Sequence, residues 1–266
     1  MPPPTAEDLF TETFRRFTNN WTIIGSFRQV AEAGLPYAEQ VLAVQHSVFV
    51  ETFAQDTEYK NIFIPLDDSG KHMSSEAKKL IQTGMTTEAM TNARTAIDAA
   101  SIIFVQSILD DCAWSYCKVS ALANPKDWER HVDAKQVPLQ TVREKEYDSI
   151  LRELIDARIA KLEHESLLDK IDMLFRVCPP PKNTGIVNKY SYDRNTIQRI
   201  DDVRHRIIHS SGFAEPITNA AEDIEYFCNT ALFLMAIVNR KYNLRIDPTK
   251  FFNIPLPANL APRNNP

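Results

Sequence analysis

At 266 residues the chain is long enough for one large domain or two small ones, and an apolar share of 44% suffices for a core. A formal net charge of −5 excludes a protein that coats nucleic acid non-specifically, so any RNA contact must be local. Six glycines and long Ala-, Leu-, Ile-, Glu- and Arg-rich segments argue for an all-α protein.

The N-terminal residues Met1 to Thr5 have neither the basic start nor the apolar core of a signal peptide. From about Ala6 to Glu32, Phe10, Phe14, Phe17 and Trp21 recur at helical spacing and predict an amphipathic helix with an aromatic core face. Gly34 and Pro36 are expected to end it. A second helix follows to about Ala54, with Val41, Val44, Val48 and Phe49 facing inward. Residues 55–72 read as broken, with a short extended piece at Asn61 to Pro65 and a surface turn at Ser69-Gly70-Lys71. Ser74 opens a helix to about Thr83. A longer helix then runs from about Thr87 to Leu122 through Ala96, Ala100, Ile103, Phe104, Ile108 and Trp114, with Asp110 and Asp111 interrupting its apolar run.

Asn124-Pro125 stops that helix, and Trp128, Arg130 and His131 lie in the connection. Pro138 then starts one very long helix to about Val177, whose outer face carries mixed charge of the kind that is solvated. His164 between Glu163 and Glu165 does not make a zinc motif, and no metal or cofactor is expected. The prolines after Cys178 end the helix. The loop that follows carries Lys182, Lys189, Tyr190 and Tyr192, and Arg194, Arg199, Arg204 and Arg206 come next, the one locally basic region of the chain. After Gly212, Asn219-x-x-Glu222 resembles a capping box. A last helix runs to about Tyr242 through Ile224, Phe227, Cys228, Ala231, Leu232, Met235 and Val238. Its uncharged stretch, Tyr226 to Asn239, is shorter than the roughly 20 residues a bilayer requires, so no membrane partner is expected. Cys112, Cys117, Cys178 and Cys228 form no CxxC pair and read as reduced thiols of a cytoplasmic protein. The tail from residue 244 is expected to be extended.

The densest chemistry lies in Asp201 to Gly212. His205 and His209 are four apart and share a helix face, with Asp201 on the same stripe. Ile200, Val203 and Ile207 supply the buried side, and Gly212 stands where a C-cap glycine belongs. Arg204 and His209 are five apart, so on a straight helix their directions differ by roughly 140°. Either the arginine curls round, or the helix distorts at its end, or a second copy completes the site.

Arg204-His205-x-x-x-His209, preceded and followed by apolar helices, resembles the R-(polar)-x(3)-H signature of HEPN domains (the higher eukaryotes and prokaryotes nucleotide-binding family). The resemblance covers roughly residues 93–243. It implies an up-and-down HEPN-like helical bundle there; the residues outside it read as an additional N-terminal helical region at 1–92 and an extended tail at 244–266. It also implies a homodimer with a composite active site and a metal-independent endoribonuclease activity. Ser107-x-x-Asp110 resembles the acidic pattern that approaches the motif arginine in that family.

The chemistry suits the residue types. Attack of a 2′-hydroxyl on the adjacent phosphate requires a base, an acid and positive charge on the transition state. Histidine titrates near neutrality, and arginine presents two parallel donors to phosphate oxygens. The expected roles are His209 as general acid/base, Arg204 as phosphate clamp and His205 as an orienting or binding residue, with Asp201 and Asp110 in support. Lys189, Tyr192, Arg199 and Arg206 are candidates for RNA contact through phosphate and base stacking. Products would carry 2′,3′-cyclic phosphate and 5′-hydroxyl ends. Relatives of this kind serve as toxins or antiviral defence effectors, so an inhibitor or sensor partner is expected. The alternatives are a HEPN-like module that binds RNA or nucleotide or dimerises without cutting, and a structural helical protein in which the histidines are surface residues.

Overall fold

The computed structural model describes residues 4–55, 73–133, 137, 139–181, 192–209 and 217–246. These residues build an all-α helical bundle protein. α1 spans Ala6–Gln55, α2 Ser75–Ala123, α3 Leu139–Glu144, α4 Tyr147–Glu163, α5 Leu167–Val177, α6 Arg194–His209 and α7 Ala220–Tyr242, with a 3-10 turn at Pro125–Trp128. The readings of residues 56–72, Lys182, Lys189, Tyr190, Gly212 and the tail beyond residue 246 lie outside the described residues.

Several boundaries differ from the sequence expectation. α1 does not stop at Gly34 and Pro36; it carries Pro36 in its interior. The two helices expected from Ser74 to Leu122 are one. The single long helix expected after Pro138 is three. Glu146, in extended conformation, starts α4, and Ser166 caps α5 by accepting from the Asp169 N–H at 3.2 Å. Arg158 reaches across the second break to Glu165 with a bidentate pair at 2.7 and 3.1 Å.

The chain divides into two compact units. The first comprises residues up to Ile23, Ile103–Val203 and Glu222 onward; the second comprises Ile24–Ile102 and Arg204–Ala221. The first unit thus includes the aromatic start of α1, and the second includes residues 93–102 of α2.

In the first unit the later part of α2 is the central helix. Val105, Leu109, Cys112, Ala113, Tyr116, Cys117 and Val119 are all buried on a broad face, while Phe104, Ser107 and Leu122 on the other side are exposed. Phe10 packs on Tyr116 with ring centroids 5.9 Å apart. The Trp114 indole N–H donates to the Ile159 carbonyl of α4 at 3.2 Å. Trp128, fully buried, donates to the Ser120 hydroxyl at 3.1 Å and closes the turn back onto α2. α5 presents Leu167, Leu168, Ile171 and Leu174 to the core, and α7 presents Phe227, Ala231, Leu234 and Val238. Asn243, at φ 50°, ends α7 in the left-handed conformation that asparagine tolerates as a helix cap. Asn219, directly before α7, has φ 66° rather than the extended backbone of the usual N-cap.

In the second unit α1 and the early part of α2 run antiparallel. Arg28 pairs with Asp98 at 2.8 Å, His46 Nδ1 lies 3.0 Å from Thr86 Oγ1, Gln82 donates to the Ala43 carbonyl, and Lys78 pairs with Glu51 at 2.7 Å. Val50, Met73 and Ala77 close the far end with Phe53, Ile81 and Met85. The valines expected to face inward do not. Val41, Val44, Val48 and Phe49 are exposed at 38, 66, 63 and 53%. Because α1 continues unbroken through Pro36, its helical phase carries on, and Ile24, Arg28, Ala31, Leu35, Ala38 and Leu42 take the covered face instead.

Candidate active site

α6 carries the motif, and its own sequence explains why it forms. Asp193 caps it: one carboxylate oxygen accepts from the Thr196 N–H at 3.0 Å and the Thr196 hydroxyl at 2.7 Å, the other from the Asn195 N–H at 3.3 Å. These bonds hold the Asp193 carboxyl below the usual aspartate range. Ile197 and Ile200 are fully buried and fix the helix face that turns inward. The helix stays α-helical through His209, so distortion at its end is not what would bring Arg204 and His209 together.

His205 and His209 are both exposed, and their rings stand one turn apart with centroids at 4.3 Å and planes tilted by 51°. Arg204 is half-buried, and Arg206 is exposed. Arg204, His205, Arg206 and His209 all belong to the second compact unit.

The other expected site residues have partners of their own. Asp201 accepts a hydrogen bond from the side-chain amide of Gln106, which is buried in α2. Asp110 is engaged by Lys170, whose ammonium reaches both carboxylate oxygens at 2.8 and 2.6 Å. Lys170 is 3% exposed, so this is a cation drawn into the core by one carboxylate. Arg199 holds Asp223, itself only 4% exposed, through both terminal nitrogens. Asp202 accepts from Gln198 at 3.0 Å. Tyr192 packs edge-on against Phe175 with centroids 4.8 Å apart and lies parallel to Phe233 at 6.5 Å. Burial pushes its phenol up to about 12. Its ring is built into the aromatic packing of the first unit, and a stacked base would have to displace those contacts.

Sequence reasoning did not single out Lys170 or Gln106. Lys170 occupies a position of the apolar stripe of α5, between Leu167 and Leu174, and that misplacement of a charge was the available signal. A further polar group gathers on α1 and α2. Arg16 donates to the Ser115 hydroxyl at 2.9 Å and lies 3.4 Å from Asp111, whose carboxyl burial pushes up. Lys118 sits over the Trp114 ring at 3.1 Å, and burial lowers its ammonium. Among the described residues no three His, Cys, Asp or Glu side chains group as metal ligands would, and no helix is long and apolar enough to cross a membrane. Compared with protein-family models, curated proteins and solved structures, the chain finds no match.

Proposed function

We propose that the protein is a metal-independent endoribonuclease of HEPN type, in which Arg204 and His209 act on the scissile phosphate. The observation that supports this best is the exposed imidazole pair at the end of α6, directly after an arginine. In the reaction an imidazole takes the 2′-hydroxyl proton as the O2′–P bond forms. The P–O5′ bond breaks, and a second imidazole protonates the leaving 5′-oxygen. Arg204 neutralises the charge that builds on the phosphoryl oxygens. His205 orients the substrate or its neighbour. The separation of Arg204 and His209 around α6 favours a site completed by a second copy, and Arg206 is placed to meet a flanking phosphate. DNA, lacking the 2′-hydroxyl, is not a substrate. An enzyme of this kind must be restrained in the cytoplasm, so an inhibitor or sensing partner and a toxin or antiviral defence role belong to the same proposal.

The test is purified protein with total RNA and tRNA in EDTA. We expect 2′,3′-cyclic phosphate ends, and a loss of at least about 100-fold in rate in Arg204→Ala and in His209→Ala. Cleavage that survives both substitutions overturns the assignment. A second reading, a HEPN-like module that binds RNA or nucleotide without cutting, is favoured by the internal commitments of Arg199 and Tyr192. It predicts RNA binding weakened by Arg204→Ala, with no cleavage in the wild type.

A further inference from the structure

His205 and His209 are the one pair of histidines in the sequence spaced three or four apart. α6 is helical through both, so they stand one turn apart on one face. Both side chains are exposed, and the ring centroids lie 4.3 Å apart with the planes tilted by 51°. Among the described residues neither ring makes a hydrogen bond or an ion pair, whereas His46 is engaged by Thr86 at 3.0 Å. Arg204 and Arg206 leave the helix about 120° and about 80° from the midline of the pair. Neither guanidinium therefore starts from the face that the two rings share.

The ring separation matches metal chemistry. A bond from a metal ion to an imidazole nitrogen is about 2.1 Å, and the ring centre lies about 1.1 Å beyond the nitrogen, so each centroid would stand about 3.2 Å from a shared ion. Centroids 4.3 Å apart then subtend about 85° at that ion. Two positions of a tetrahedral ion would require about 5.2 Å. The pair is spaced for neighbouring positions of a square-planar or tetragonal ion, with no movement of the helix.

We infer that His205 and His209 form a two-imidazole chelate for a divalent transition metal of the copper(II) or nickel(II) kind. Imidazole is a ligand for both ions, both take ligands near 90° from one another, and copper(II) stands highest in affinity among the first-row divalent ions. Zinc(II), which prefers tetrahedral sites, fits the pair less well. Two ligands on one rigid turn act together, because the second is already beside the ion once the first has bound. Among the described residues no third His, Cys, Asp or Glu joins them. The remaining positions go to water or small solutes, and the ion is held reversibly rather than built in. A consequence for catalysis rests on the ribonuclease reading: metal and proton compete for the same imidazole lone pairs, so an occupied chelate holds the enzyme off and a chelator such as EDTA releases it.

Binding is tested without any cleavage. The full chain in a non-coordinating buffer is titrated with nickel(II) chloride in a calorimeter, as wild type, His205→Ala, His209→Ala and the double variant H209A/R206H. The last keeps the number of histidines but sends the two rings out about 100° apart. All three variants should bind nickel(II) at least about 10-fold more weakly than wild type, and wild type should bind zinc(II) more weakly than nickel(II). A wild type that takes up no nickel(II) at roughly 100 µM overturns the inference. Variants that bind as tightly as wild type overturn it too, since the ion would then be held elsewhere. Zinc(II) bound more tightly than nickel(II) overturns the assigned geometry. RNA cleavage with and without one equivalent of nickel(II) is the separate arm. Nickel-loaded wild type that still cuts at full rate removes His209 from the ribonuclease and leaves the chelate standing.

Discussion

The ion pair between Lys170 and Asp110 shows how one residue's environment decides its energetics. The ammonium is 3% exposed, while the carboxylate is 37% exposed. Removing the carboxylate strands a cation in the core; removing the cation leaves a carboxylate that water can reach. The two deletions should therefore be unequal. Asp110→Ala should cost about 2 kcal/mol, below the range for a fully buried pair because Asp110 is part-exposed, whereas Lys170→Met should cost under about 1 kcal/mol. The combination D110A/K170M should recover most of the Asp110→Ala loss. Urea denaturation of the four proteins checks this, and equal single losses would contradict it. The same series separates two roles for Asp110. If cleavage follows stability and returns in the double variant, Asp110 acts through the fold. If stability returns and cleavage does not, Asp110 also serves the site on α6.

At the scale of elements, α1 carries the most direct test. Pro36 inside a helix forfeits one backbone hydrogen bond and crowds the preceding turn, at a cost of about 3 kcal/mol. The helix continues because Ala31, Leu35, Ala38 and Leu42 are covered on either side of it and because Arg28–Asp98 and Gln82–Ala43 tie both flanks to α2. Pro36→Ala should then stabilise the protein by about 1 to 3 kcal/mol in chemical denaturation. A helix that truly ended at Gly34 would gain nothing. This element also shows what sequence can and cannot convey. The all-α class was legible from few glycines and sustained periodicity, and Phe10, Phe14 and Phe17 lie on the core side as their spacing implies. Which of two apolar stripes on α1 is covered was not legible, because that choice is made by α2. The break at Ser166 was missed, although Ser166-x-x-Asp169 is a local capping pattern that signals it. For the site, the motif helix, its buried isoleucines and the pairing of His205 with His209 follow from local spacing. The partners of Asp110 and Arg199 lie on other helices, and local spacing says nothing of them.

Across the whole chain, stability should depend on pH through contacts that join distant segments. Asp127, in the turn after α2, meets Lys241 at 2.7 Å and Tyr242 at 2.8 Å, at the end of α7. Burial raises its carboxyl, but the bonds from Lys241 and Tyr242 outweigh that and hold it below its ordinary value. A carboxyl whose folded pKa is depressed contributes stability above its unfolded pKa, near 3.9, and that contribution is lost as the pH falls through the folded value. The Asp193 cap of α6 works with the same sign. Asp111 works with the opposite sign: burial raises its carboxyl, so it favours folding most below the unfolded pKa and that benefit is lost as the pH rises through the raised value. Urea denaturation from neutral pH downward should therefore show the largest gap between wild type and Asp127→Asn near neutrality, closing as the pH drops below about 3.9. Wild type and Asp111→Asn should behave in reverse, with the variant gaining on the wild type as the pH rises out of the acid range. A gap for Asp127→Asn that stays constant from neutrality into acid would mean that the Lys241 and Tyr242 contacts do not hold the carboxylate in its charged form, and that the turn after α2 is fixed by the burial of Trp128 alone.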